Sequence, residues 1–200
     1  MEHHYILDRY RAILDAITWL EEQNIAVIDF ETTGILNPHA VQVAIIDSKG
    51  DTLLSELVKT DEPIHPKALA VHGKTPEMLA EKGINPVDML GKIREIAGNH
   101  TLVAYNYQFE RKVMRVMSAH YQRHEQLAME NILCAQALYA KFYGQPNYKY
   151  NEYKWHKLTL ACKRQGIAVE DAHDALGDVK MTLALIKSIA ETSLNYKASE

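Results

Sequence analysis

The chain lacks most of what would mark it as a secreted, membrane or charge-driven binding protein. It has only two cysteines, Cys134 and Cys162, among 200 residues. They are isolated, which argues against a disulfide framework or a cysteine metal site and leaves reduced core or boundary residues. No apolar run approaches the roughly 18 residues of a membrane span. No charged-then-apolar N-terminal segment reads as a signal peptide, so a cytoplasmic protein is the default expectation. Internal repeats and low-complexity tracts are absent. Positive charge is not in excess either: 22 Lys and Arg against 26 Asp and Glu give a net charge of −4, which argues against nucleic-acid binding by bulk charge.

What is there is an ordinary globular composition, 47% apolar and 24% charged, on a length that suits one domain with one sizeable core. Charge is uneven. Residues 1–100 hold 9 basic and 16 acidic side chains, and residues 101–200 hold 13 and 10. That asymmetry fits a site that holds cations and touches phosphates, and random scatter equally well.

Periodicity places the elements. Residues 5–21 put Ile6, Tyr10, Ile13, Ile17 and Leu20 on one face of an amphipathic helix, within an N-terminal segment 1–24. In NIAVIDFETTG the apolar run Ile25–Ile28 predicts a strand buried on both faces, hence a central one. HAVQVAIID and DTLLSELVK, joined through Ser48-Lys49-Gly50, predict an antiparallel pair. Residues 61–75 read as a proline-containing loop, after which Thr75 caps and Pro76 opens a short helix. There follow a helix over 86–97, the strand TLVAY, a helix over 107–120 capped by Asn106, and a short strand running into a helix in NILCAQALYAKFYG. Residues 144–156 read as a tyrosine-rich loop, and HKLTLACKRQG as a helix closed by Gly166. The last helix, over 174–191, has Asp174 as cap and Val179, Thr182, Leu183, Ile186 and Ala190 on one face. This order predicts an α/β layered domain with a mixed sheet, a single unit over 1–200 with a tail over 192–200.

The acids fall at telling places. Asp29 and Glu31 share one face at the end of the central strand, because side chains alternate, while Phe30 points into packing. Two adjacent carboxylates repel unless a proton or cation lies between them. Asp178 lies early in the last helix, where the helix dipole favours an acid by about 0.3–1 kcal/mol without any further role. Glu110 has the same address in the helix after TLVAY. Strand ends gather ligand sites in open α/β sheets, so these acids are candidates for one cluster. His173 sits on the loop before the last helix.

In these residues the chain resembles the DEDDh 3′–5′ exonucleases, the DnaQ-like proofreading-exonuclease family of RNase H-like fold, over about Ile25 to Ile189. VIDFETTG resembles the first motif, LVAYNYQFE the second and HDALGD the third. VHGKT, residues 71–75, resembles a His-Gly-hydrophobic-Thr loop of the family, with Lys74 in place of the apolar residue. The second motif normally ends in Asp; here it ends in Glu110. The resemblance implies a three-layer domain with a mixed, mostly five-stranded sheet flanked by helices, its core over 25–191.

It also implies the chemistry: hydrolysis of terminal phosphodiesters, releasing nucleoside 5′-monophosphates, with two divalent cations, Mg²⁺ or Mn²⁺. Asp29, Glu31, Glu110 and Asp178 would be the metal ligands, with Asp29 shared, and His173 the general base. Backbone groups around Glu31, Thr32 and Thr33 would grip the terminal nucleotide, and His72 and Asn106 would line that pocket. The implied partners are nucleic-acid 3′ ends, DNA or RNA and single-stranded rather than duplex, with no membrane. A second copy or a polymerase as partner stays open. The alternative is a binding module of the same fold with weakened catalysis, motivated by Glu110.

Other features have plainer readings. Tyr143, Tyr148, Tyr150, Tyr153 and Trp155 interleave with Lys149, Lys154 and Lys157, as in single-strand binding surfaces; a loop packed on its own aromatics is the preferred reading. His120 and His124 could share a helix face, but two histidines with no cysteine close by argue against zinc.

Overall fold

The run Ile25–Ile28 becomes the first half of strand β1 (Ile25–Thr32), and all four residues are fully buried. The computed structural model describes residues 2–192 apart from 22 and 171; the expected tail lies, save Thr192, outside the described residues. β1 pairs antiparallel with β2 (Ala40–Asp47), which turns back through Ser48-Lys49-Gly50 into β3 (Thr52–Leu57). On its other side β1 pairs parallel with β4 (Thr101–Ala104), which pairs parallel with β5 (Leu133–Cys134). The sheet order is β3-β2-β1-β4-β5, so β1 is the central strand.

Alternation along the strands divides the apolar residues between two layers. Ile25 and Val27 face a core formed with α1 (Glu2–Glu21), α6 (Ala135–Tyr143), α7 (Leu158–Arg164) and α8 (Ala175–Ala190). Ala26, Ile28 and Phe30 face the other core, with α4 (Pro86–Asn99) and α5 (Tyr107–His120). The result is the three-layer, RNase H-like arrangement expected.

Three local expectations need correcting. The loop expected over 61–75 contains helix α2 (Pro66–His72), which ends where Gly73 turns left-handed at φ 69°. His65 caps it by accepting from the Lys67 N–H, and Pro66 takes the first position. Both fit the rules for helix starts. The expected loop over 144–156 contains a small hairpin, β6 (Pro146–Asn147) with β7 (Glu152–Tyr153). In α1 the buried stripe is Ala12, Ile13, Ala16 and Trp19; Ile6 and Tyr10 are exposed. The early turns meet α6 through Arg9, whose guanidinium lies 4.2 Å from the Phe142 ring and donates to the Phe142 carbonyl.

Caps were more legible. Thr75 accepts from Met78 N–H at the start of α3 (Pro76–Lys82), and Asp174 accepts from Leu176 N–H at the start of α8. Asn106 holds the position before α5, but its side chain makes no capping bond. Among the described residues no helix is long and apolar enough to cross a membrane.

Replacing Ile28 with Ala leaves a cavity in the central strand and should cost about 2–5 kcal/mol. Ile6→Ala, on the exposed side of α1, should stay within about 0.5 kcal/mol. Urea unfolding of the two variants checks the layer assignment.

Candidate active site

β1 outruns its parallel neighbour. Its register with β4 covers Ile25–Val27, whereas its register with β2 continues to Thr32. Asp29 and Glu31 therefore stand beyond β4, where β1 has an antiparallel strand on one side and a parallel strand on the other. This is the crevice at a change of strand direction. Both share the parity of Ile25 and Val27, so they face the layer of α8. Asp178, in the first turn of α8, meets them: carboxylate oxygens of Asp29, Glu31 and Asp178 all lie within 4.8 Å of one another.

Glu110 comes from the first turn of α5 and is 3% exposed. Its Oε2 is buried without a hydrogen-bond partner among the described residues. It stands outside the tight group of three but within reach of Asp29's charge. Burial, then the charges of Glu110, Asp178, Glu31 and Asp174, push the Asp29 carboxyl well above the usual range. Burial and Asp178 push Glu31 up to about 8, with Lys74 pulling the other way. Burial lifts Glu110 to about 8 against a hydrogen bond from its own backbone N–H. Burial also raises Asp178, opposed by a hydrogen bond from the His173 backbone and by His173's charge. Asp29 thus feels the charge of Glu110 as well as those of Glu31 and Asp178. A set of oxygen donors, crowded, half-buried and with one orphaned oxygen, fits hard divalent cations.

His173 is exposed and holds a left-handed backbone at φ 69°. For a residue other than glycine this costs about 1–3 kcal/mol and is characteristic of functional loops. The loop is fixed from below. Gln42 Nε2 donates to Asp174 Oδ2 at 2.9 Å, and Gln42 Oε1 accepts from Ala175 N–H at 3.1 Å. Lys74 Nζ donates to the same Asp174 oxygen at 2.8 Å. Burial would raise the Asp174 carboxyl, but Lys74 and Gln42 together hold it below its ordinary value. Gly73, left-handed after α2, delivers Lys74 to this place. The departure from an apolar residue at Lys74 is therefore an ion pair to the cap residue beside His173. Neither Gln42 nor this pairing was visible in sequence, because the partners lie far apart along the chain.

The expected pocket residues divide. His72 accepts Lys74 N–H at Nδ1, so its Nε2–H donates to the Thr32 carbonyl at 3.2 Å. Thr32 Oγ1 donates to the Gly34 carbonyl, and Thr33 Oγ1 accepts from His39 N–H. The N–H and C=O of Thr33 are bound to His39 and His65. These residues hold the loop in shape, and their polar groups are largely spent within the protein. The Oδ1 of Asn106 is buried without a partner among the described residues. Beside the carboxylates lies a groove of about 790 Å³ lined by Glu31, Thr33, Leu36, His72 and Phe109 among others. Its rim exposes Ile35 and Leu36, 75% and 87% accessible, which sequence reasoning passed over. Along α5 a second cleft is lined by Tyr107, Arg111, Lys112 and Arg115. Lys112 also donates to the Ile35 carbonyl, tying α5 to the groove's rim.

The tyrosine-rich stretch is mixed. Tyr143 stacks on Tyr139 and Tyr153 donates to Asp8, while Tyr148, Tyr150 and Trp155 are exposed.

The comparisons agree with this architecture. The RNase T exonuclease family model matches residues 26–186. The chain is 35% identical over 185 residues to exonuclease CP81 of Escherichia phage 186, covering 86% of this chain and 91% of that protein. It is 32% identical over 174 residues to exodeoxyribonuclease 10 of Escherichia coli K12, covering 84% and 69%. Among solved structures, E. coli exonuclease I in complex with a dT13 oligonucleotide superposes with a TM-score of 0.71 at 20% identity, over 86% of this chain and 41% of that longer one. The fold and these matches define a nuclease of the DEDDh, DnaQ-like class. The chain belongs to the exonuclease family, and it is an enzyme of the 3′–5′ exonuclease type acting on nucleic acid.

A pH dependence follows from the raised acids. From an ordinary 4.5, Glu31 and Glu110 each rise to about 8 on folding. The folded chain therefore holds more protons than the unfolded chain across that window, and stability falls as pH rises through it. In EDTA, Tm should drop between about pH 5 and pH 8, and Glu110→Gln should flatten the drop. A flat wild-type profile would contradict the clustering of acids.

Proposed function

We propose that the chain removes nucleotides from the 3′ ends of single-stranded DNA, hydrolysing the terminal phosphodiester and releasing nucleoside 5′-monophosphates. The observation that carries this reading is the convergence of Asp29, Glu31 and Asp178 within 4.8 Å at the end of the central strand, with buried Glu110 beside Asp29. Two divalent cations of the Mg²⁺ or Mn²⁺ class are the cofactors assigned. Asp29, Glu31 and Asp178 would hold them, with Asp29 shared, and Glu110 would serve the side of Asp29 from which its charge acts. Bound there, the cations lower the pKa of the attacking water and neutralise charge on the leaving oxygen.

The rest is work for side chains. His173, exposed on its fixed loop, takes the proton of the attacking water. Asp174, Gln42 and Lys74 position that loop. The apolar rim of Ile35 and Leu36 offers a face to the terminal base, and Arg111, Lys112 and Arg115 meet backbone phosphates. The likeness to exodeoxyribonuclease 10 supports DNA over RNA. Every acid of the site comes from one chain, so the reading needs no second copy and no polymerase subunit.

On a 3′-labelled single strand with Mg²⁺ or Mn²⁺, mononucleotide release should fall about 10³-fold in Asp29→Asn, for the several kcal/mol that cations supply. His173→Ala should lose about 10²–10⁴-fold. Glu110→Asp should retain or raise activity, with a smaller preference for Mn²⁺. No cleavage by the wild type under either metal would leave a binding module instead. Lys74→Met should lower kcat about tenfold with KM little changed, the worth of one charge-assisted hydrogen bond. Lys74→Arg should recover most of it if the pairing with Asp174 is what matters.

A further inference from the structure

Away from the carboxylates, His39, Glu62 and His120 bring one donor atom each within 4.8 Å of the others. They come from three separate segments: the turn into β2, the stretch before α2 and the last residue of α5. Neither histidine pattern was legible in sequence. His120 closes α5 and His124 lies beyond it, so the two do not share a helix face. The partner of His120 is His39, with ring centroids 4.9 Å apart.

The state of the His39 ring is the second observation. His39 is 1% exposed. Its Nδ1 lies 3.3 Å from the Asn37 carbonyl, which can only accept, so Nδ1 carries the hydrogen. Nε2 then keeps its lone pair, and it is buried with no hydrogen-bond partner among the described residues. A buried acceptor left bare costs about 1–3 kcal/mol. A histidine whose Nδ1–H is held by a backbone carbonyl and whose Nε2 lone pair is bare is the usual form of a metal-binding imidazole.

We propose that His39 Nε2, His120 and Glu62 form a second metal site, distinct from the carboxylate cluster, that takes Zn²⁺ or a similar late first-row divalent ion. Two imidazoles and one carboxylate match the chemistry of such ions and not of Mg²⁺. Bonds of about 2.0–2.2 Å set tetrahedral donors about 3.3–3.5 Å apart. The buried His39 ring is the fixed member. The half-buried Glu62 and exposed His120 side chains can close the remaining distance, and water fills the fourth position.

The site would have a mechanical consequence. The His39 backbone pairs with Thr33, and Glu62 lines the groove beside the catalytic acids. An ion here would pin the groove-side loop to the end of α5, the helix that carries Glu110.

The test uses the full-length chain in an Asp29→Asn background, which weakens the carboxylate site, with metal removed by chelation and dialysis. Zn²⁺ titration by calorimetry should show one ion per chain. Co²⁺ in the same protein should give the strong visible absorption of a tetrahedral, nitrogen-ligated ion rather than the weak bands of an octahedral oxygen site. Asp29→Asn/His120→Ala, altered at an exposed position, should fold normally and lose both signals. Zn²⁺ should also raise the Tm of Asp29→Asn but not of the double variant. Absence of binding in Asp29→Asn, or binding and spectrum unchanged by His120→Ala, would overturn the site. Since no readout is nuclease activity, these outcomes are independent of the proposed reaction.

Discussion

The structure is organised around carboxylates that repel one another at the mouth of a crevice, where water screens them only in part. A strand buried on both faces makes a rigid platform, and Asp29 and Glu31 near its end are half-buried. Asp29 and Glu31 emerge where β1 passes the end of β4, so one flank of the strand is open to a crevice rather than to a backbone partner. Helices α5 and α8 start at the same crevice and contribute Glu110 and Asp178 from their first turns. The positive ends of both helices favour acids there, but by about 0.3–1 kcal/mol each. Burial of several like charges costs more than that, as the raised acids record. Helix dipoles alone do not settle such a cluster; protons or cations must. Two complete cores hold these acids at fixed separation, which is what the proposed cations would require.

The same constraint explains the surroundings. Acids this close gain nothing from additional negative charge, yet Asp174 lies within range of Asp29, Glu31 and Asp178. Lys74 and Gln42 bind its carboxylate and offset part of its field. Asp174 can then cap α8 without deepening the repulsion, and the His173 loop above it gains a fixed base. His72 and Thr33 do comparable work on the opposite wall, where their hydrogen bonds close the loop between β1 and β2. The groove keeps apolar Ile35 and Leu36 exposed at its rim while its polar groups look inward.

What could be read from sequence was local. The run Ile25–Ile28 announces a central strand because nothing polar interrupts it. The spacing of Asp29 and Glu31 places them on one face because alternation is a property of any strand. Thr75, Asp174 and Gly166 signal helix ends because caps depend on neighbouring residues. Helix α2 was equally local, with Pro66 and Gly73 at its ends, and was missed because two further prolines nearby favoured a loop. What could not be read were meetings across the chain. Lys74 and Asp174 stand a hundred residues apart, and His39, Glu62 and His120 come from three elements whose positions only the folded sheet fixes. Asn106 shows the limit of local rules from the other side: the cap residue type is right, but its side chain makes no capping bond.

Glu110 is where local and global readings have to be combined. A glutamate carries one methylene more than the aspartate usual at this point in the family. Here it leaves the first turn of α5, is 3% exposed, and stands outside the group of Asp29, Glu31 and Asp178 but within range of Asp29's charge. Its Oε2 is buried with no hydrogen-bond partner among the described residues, so no group of the protein offsets the cost of burying that oxygen. A proton or a cation is what can offset it, as for the three acids nearby. The substitution therefore keeps the charge of the fourth acid beside Asp29.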